Sequence, residues 1–182
     1  MKRVLVFTTL VGAGLWCGGI RTWAAPKESQ IKEFKKSDDL TFLRKAAGAG
    51  MAEVALGQLA AKHGHSERVR KFGQRMVDDH SKANKQLMEI ARRKGMTFSA
   101  KMGATHQKLM DRLREKRGAA FDREFARHMV RDHKEAVALF KKQARHGKDA
   151  DLRAFASRTL PTLEDHLKMA RRLERHTEGS RR

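Results

Sequence analysis

Thiol chemistry has almost no foothold in this 182-residue chain, whose one cysteine is Cys17. Cys17 falls inside an N-terminal leader, so the mature protein has neither a disulfide nor a thiolate-bound zinc, and its stability must come from core packing. Tyrosine is absent. Basic residues do not alternate with aromatics, which leaves no stacking platform for single-stranded nucleic acid and no basis for specific nucleic-acid recognition. Strand-like alternation of apolar and polar residues appears nowhere. Acidic residues are scarce, 21 against 41 Lys and Arg, and the formal net charge is +20.

Lys2 and Arg3 open the chain, followed by an apolar run from Val4 to Leu15 that is too short to span a bilayer comfortably. Thr22-Trp23-Ala24 then offers small residues at the two positions a signal peptidase reads. Residues 1–24 therefore read as a signal peptide cleaved before Ala25, with an uncleaved anchor as the alternative. A lipoprotein signal fits less well, because bulky Trp16 precedes Cys17. The expected location is the periplasm or cell envelope, with no transmembrane helix after cleavage. The leader removes Lys2, Arg3 and Arg21 and no acid, leaving +17. Such a polycation is drawn to anionic envelope surfaces. The alternative is that Lys and Arg simply solvate helix faces, since the charge is spread over every helix.

Residues 25–37 read as a polar tether ending in an N-cap, Ser37, with Asp38 and Asp39 in the first helical turn. Apolar residues then recur at helical spacing, which predicts helices over about 38–63, 67–94, 119–146 and 150–176. Gly64, Gly95 and Gly147 punctuate them, and a short helix is expected around Thr105–Arg117, stopped by Gly118. Pro161 falls inside the last helix and should bend it. No repeat shows at a period of 20–50 residues. The fold expected is all-α, an antiparallel four-helix bundle over 38–176 with a short extra helix in its long connection, and a basic tail at 177–182.

Four polar residues interrupt the inward apolar stripes: Glu53, His80, His133 and His166. Buried polar groups are costly unless paired, so a layer of four demands partners. Counting from the two tight turns brings Glu53 within about one helical turn of the height of His80, and His133 within one turn of His166. The offset between the two hairpins stays open. Three imidazoles and a carboxylate suit one divalent transition-metal ion; a closed hydrogen-bond network without metal is the alternative. Asp79, Asp132 and Asp165 each precede one of these histidines, about 100° around the helix. They can hold a neighbouring helix's histidine from behind, or pair with surface Arg and Lys. A two-metal carboxylate centre is not expected, because Val77, Val130 and Leu163 stand where Glu-x-x-His needs glutamate. Gly48-Ala49-Gly50 lacks both a preceding strand and a third glycine, so it is no nucleotide fingerprint. No nucleophile sits on a turn, and no catalytic residue is expected. His63, His65, His106, His146 and His176 read as surface residues.

Phe42, Ala46-Ala47, Gly50-Met51-Ala52-Glu53, Leu56-Gly57 and Ala60 resemble the first helix of the secreted bacterial proteins of the domain of unknown function family DUF4142. Similar too are Phe72 with Met76-Val77-Asp78-Asp79-His80-Ser81-Lys82-Ala83-Asn84, then Phe121-Asp122, Asp132-His133, and Thr159-Leu160-Pro161 with His166. The resemblance covers about 38–174. It implies an exported ferritin-like bundle and no established reaction. One departure is Phe125, where such a protein is expected to carry tyrosine.

Three functions follow as expectations: a non-enzymatic envelope bundle with a structural or stress-related role, a metal-binding protein, and a cationic module for anionic envelope polymers. The first prediction concerns export. N-terminal sequencing of protein from native cells should return Ala25 as the first residue, and an intact Met1 in the envelope fraction would refute cleavage.

Overall fold

The computed structural model describes residues 26–34, 37–96 and 101–179. The leader, its cleavage point and residues 180–182 of the tail lie outside these. The described residues are all-α, with six helices and no strand. These are α1 (Glu28–Phe34), α2 (Asp38–His63), α3 (Glu67–Arg93), α4 (Ala104–Glu115), α5 (Gly118–His146) and α6 (Ala150–Gly179). None is long and apolar enough to cross a membrane.

Local chemistry accounts for the boundaries. The Ser37 and Ser66 hydroxyls accept from the Leu40 and Val69 amides, and the Asp149 carboxylate accepts from Leu152, so α2, α3 and α6 start on side-chain caps. Gly95, with φ of 67°, ends α3 in a left-handed turn. There Gly95 N–H donates to the Arg92 carbonyl and Met96 N–H to that of Ala91, the paired bonds of a Schellman stop.

Two sequence expectations change. The tether contains α1, because Phe34 packs on the core and Ile31 reaches the turn at Gly95. The final helix runs to Gly179, three residues into the expected tail. Pro161 lies inside α6, as expected, and α6 is continuous from Ala150 to Gly179.

The main contacts pair α2 with α3 and α5 with α6; α3–α6 and α2–α5 contacts join the two hairpins. The hairpins hold each other by their turns. Asp39, at the start of α2, accepts from the amides of Lys148 and Asp149 and from Gln143 Nε2 at 2.7–3.2 Å. Asp122, at the start of α5, accepts from the amides of His65 and Ser66, both at 2.8 Å. Both aspartates are buried. Arg70 caps the Gly64 and His65 carbonyls, and Arg153 caps those of Gly147 and Lys148 in the same way. α2 thus starts where the α5–α6 turn lies and ends where α5 starts, so the two run antiparallel. The segment containing α4 carries the chain back along the α2–α5 side.

These matched contacts expose a correspondence that a search at 20–50 residues misses. Shifting the sequence by 83 positions aligns Asp39 with Asp122, Phe42 with Phe125, Gly64 with Gly147, Arg70 with Arg153 and Phe72 with Phe155. The α2–α3 and α5–α6 hairpins are variants of one unit.

The core forms two apolar clusters. One, containing Leu43, Leu87, Phe140, Leu152 and Phe155, sits toward the α5–α6 turn. The other, containing Leu56, Phe72, Phe121, Phe125 and Leu173, sits toward the α2–α3 turn and includes Leu109, Met110 and Leu113 of α4.

The clamps yield the second prediction. Asp122→Ala leaves two inward-facing turn amides without a partner, and a hydrogen bond to a charged acceptor contributes about 1.5–3 kcal/mol. Chemical denaturation should show a loss of about 2–4 kcal/mol for Asp122→Ala and a comparable loss for Asp39→Ala. Asp165→Ala, which removes only an exposed pairing with Lys168, should change little.

Candidate metal centre

Each long helix contributes one residue to a polar layer between the two apolar clusters. Glu53 comes from α2, His80 from α3, His133 from α5 and His166 from α6, and all four are buried. The imidazole rings stand 5.3–5.7 Å apart, centroid to centroid, in all three pairings. One nitrogen from each ring lies within 4.8 Å of the other two. Glu53 stands beside this triad rather than within it, with Oε1 3.9 Å from His133 Nδ1.

Hydrogen bonds at the outer edge fix two of the three rings. His133 Nδ1–H donates to the Met129 carbonyl at 2.9 Å, which leaves Nε2 as the lone-pair nitrogen. His166 Nε2 donates to Asp79 Oδ2 at 2.8 Å, which leaves Nδ1. Arg75 braces Asp79 from outside. The opposite nitrogens, His133 Nε2 and His166 Nδ1, have no hydrogen-bond partner, and neither have His80 Nε2 and Glu53 Oε2. Four buried polar atoms in one layer thus lack partners, each at a cost of about 1–3 kcal/mol if left so. An imidazole held from behind by a carboxylate or carbonyl, with its other nitrogen free, is the usual arrangement of a metal-binding histidine.

The electrostatics agree. Burial, and then the neighbouring histidines, push His80 down to about 3; burial and then His166 push His133 down to about 4. Burial also lowers His166, against the pull of Asp79. All three rings are therefore neutral near pH 7 and keep their lone pairs. Burial, and then the charge of Asp132, raise Glu53 well above the usual carboxylate range. Burial alone would raise Asp79 too, but hydrogen bonds from Arg75 and His166 outweigh it and keep Asp79 low.

The three aspartates divide. Asp79 reaches across to His166, a histidine on another helix. Asp165 is exposed and pairs with Lys168. Asp132 turns away from the triad to a second group that sequence reasoning missed. Its Oδ2 lies 3.0 Å from His106 Nε2 and 2.6 Å from His128 Nε2. His106 is half-buried on α4, not a surface residue. His128 precedes Asp132 by one helical turn, and that i, i+4 spacing was its only sequence signal. Arginine is donor-only, so Arg131 at His128 Nδ1 puts the His128 proton on Nε2. Of the two imidazoles, His106 is hydrogen-bonded to Asp132, while His128 Nε2 lies beside the carboxylate without hydrogen-bond geometry.

Phe72 packs edge-on against His166 at 6.4 Å and against Phe125 at 6.2 Å, giving the layer a dry floor. Phe125 has no hydroxyl to bring to it.

Among solved structures, a DUF305 fragment from Deinococcus radiodurans is similar. It is 14% identical, with a TM-score of 0.64, over 84% of this chain and 99% of that one. At that identity the likeness shows a shared helical fold alone. No curated protein matches. The family model described as "Domain of unknown function (DUF4142)" matches residues 24–173. With the match running from residue 24 to the last turns of α6, this chain belongs to the DUF4142 family.

Proposed function

We propose that this protein is an exported, basic, ferritin-like antiparallel four-helix bundle whose core binds one divalent transition-metal ion. His80, His133 and His166 supply the nitrogens, and Glu53 supplies the negative charge that balances the ion. The observation that carries this reading is the set of orphaned atoms, His80 Nε2, His133 Nε2, His166 Nδ1 and Glu53 Oε2, in one buried layer. A cation there would satisfy all four and remove the reason for Glu53 to stay protonated. Imidazole-rich sites suit zinc, copper, iron and nickel. When bound, such an ion supplies Lewis acidity and, for iron or copper, redox chemistry. The chain's own residues orient the imidazoles through Met129 and Asp79 and keep water from the Phe72 side. Export to the periplasm or envelope rests on the leader, and attraction to anionic surfaces on the net charge.

Protein purified from rich medium should carry close to one transition-metal ion per chain by elemental analysis. Chelator should lower its melting temperature, and added metal at a hundredfold excess over Kd should restore about 2.7 kcal/mol. His133→Ala should lose both the metal and the response to chelator. If neither chelator nor added zinc, copper, iron or nickel shifts wild-type melting, the metal reading is wrong.

The metal-free protein has its own pH signature. His80 and His133 bind protons less readily folded than at their ordinary 6.5. Their contribution to stability is therefore present above pH 6.5 and lost as pH falls from there toward about 3. Glu53 is raised, so its contribution has the opposite sign and fades as pH rises through its folded value. Denaturation of chelator-treated protein should show stability falling below pH 6.5, and a flatter profile for His80→Leu. Glu53→Gln should stabilise the metal-free protein at pH 7 yet weaken metal binding. Loss of stability without metal would instead mark Glu53 as purely structural.

A further inference from the structure

The 83-residue correspondence gives every residue of the polar layer a counterpart in the other hairpin. Glu53 corresponds to Ala136, His80 to Leu163, His133 to Gly50 and His166 to Ala83. None of the counterparts can ligate, and three are Gly or Ala. All four line a single cavity of about 310 Å³, whose wall also includes Glu53, His80 and His133. The core is thus asymmetric: one half-position carries the ligating side chains, and its partner carries space. The cavity runs from this layer into the cluster nearer the α5–α6 turn, and Leu87, Phe140, Phe155 and Leu163 of that cluster line it.

The cavity's chemistry is graded. Lys45 and Glu135 are exposed and form a rim of opposite charges. Asp132 also lines it, but its carboxylate is hydrogen-bonded to His106 and lies 2.6 Å from His128 Nε2. Asn84 lies across Gly50, where a Cβ would come within 2.0 Å of Asn84 Oδ1. Deeper in, the walls are Leu87, Leu139, Phe140, Phe155 and Leu163. A volume near 310 Å³ sits at the low end of the roughly 300–1,000 Å³ typical of small-molecule sites.

We propose that this cavity is a binding pocket for a short-chain aliphatic monocarboxylate, with the carboxylate on the core metal ion and the tail against the leucine and phenylalanine walls. The inference rests on the metal reading above and goes beyond it by naming what sits beside the ion. Three imidazoles and Glu53 leave a divalent ion with one uncompensated positive charge, which one carboxylate neutralises. Neutral polar molecules lack that match, and dianions overshoot it. The rim charges offset each other, so selectivity for the anion comes from the ion and selectivity for an aliphatic tail from the walls.

The test uses the full mature chain loaded with cobalt(II), whose visible absorption reports its ligands. Adding hexanoate should change the cobalt bands saturably. Binding should tighten about fourfold for each methylene buried from acetate to hexanoate. Hexanol, with the same tail and no charge, should leave the bands unchanged. Ala136→Leu and, separately, Ala83→Leu fill the cavity from different helices, and should keep the cobalt bands while abolishing the hexanoate response. Melting temperature and circular dichroism identify which of the two variants folds as wild type, and only folded variants count. If cobalt bands form but hexanoate does not perturb them, or perturbs wild type and both folded variants alike, the pocket is wrong and the metal site stands. If no cobalt bands form, the metal reading falls and takes the pocket with it.

Discussion

Two buried carboxylates set the register on which everything else depends. Asp39 grips the turn between α5 and α6, and Asp122 grips the turn between α2 and α3. Helices packed through apolar stripes alone can slide, since leucine and phenylalanine contacts are forgiving in the axial direction. A carboxylate holding two turn amides is not. A slide of one residue moves a side chain about 1.5 Å, and a slide of one turn about 5.4 Å. The imidazoles stand only 5.3–5.7 Å apart, so a one-turn slip would dissolve the cluster. The clamps at the two ends are what let residues from four helices meet in the middle.

The middle is the costly part of the fold. Between two apolar clusters, the chain places three neutral imidazoles and a carboxyl, each with an atom that lacks a hydrogen-bond partner. Their outer edges are held firmly, by Met129 and by the Asp79–Arg75 pair. A core selected only for stability would place leucine here, as the second hairpin does at Leu163, the counterpart of His80. Firm outer partners with vacant inner lone pairs match a site prepared for a cation.

Much of this was legible in the sequence, because helix length, capping and inward register are local properties. Ser37, Ser66 and Gly95 mark helix ends through chemistry within a few residues, and the stripe through Val69, Phe72, Met76 and His80 specifies which face turns inward. Counting from the turns placed Glu53 within about one helical turn of His80, and His133 within one turn of His166. The offset between hairpins was not legible, because it depends on Asp39, which reads as an ordinary helix-start acid, and on Asp122, whose long-range partners no local pattern marks. The network of Asp132 with His106 and His128 was hidden because α4 approaches from a distant stretch of chain. α1 was missed because its seven residues are too few for a periodic signal. The 83-residue correspondence was obscured in the very layer that matters, where the paired positions differ: glutamate against alanine, histidine against leucine, glycine and alanine.

The equivalence of the two hairpins also bears on how the chain is threaded. α3 ends at one pole and α5 begins at the other, with the α4 segment spanning the distance between them. α6 ends and α2 begins at the same opposed poles. A connector like the α4 segment joining Gly179 to Ser37, with the chain opened between Gly95 and Gly118, would preserve the neighbours among the four long helices and both aspartate grips. The order in which the ribosome delivers the hairpins is therefore incidental to the architecture, and circular permutants of this molecule are topologically equivalent to the natural chain.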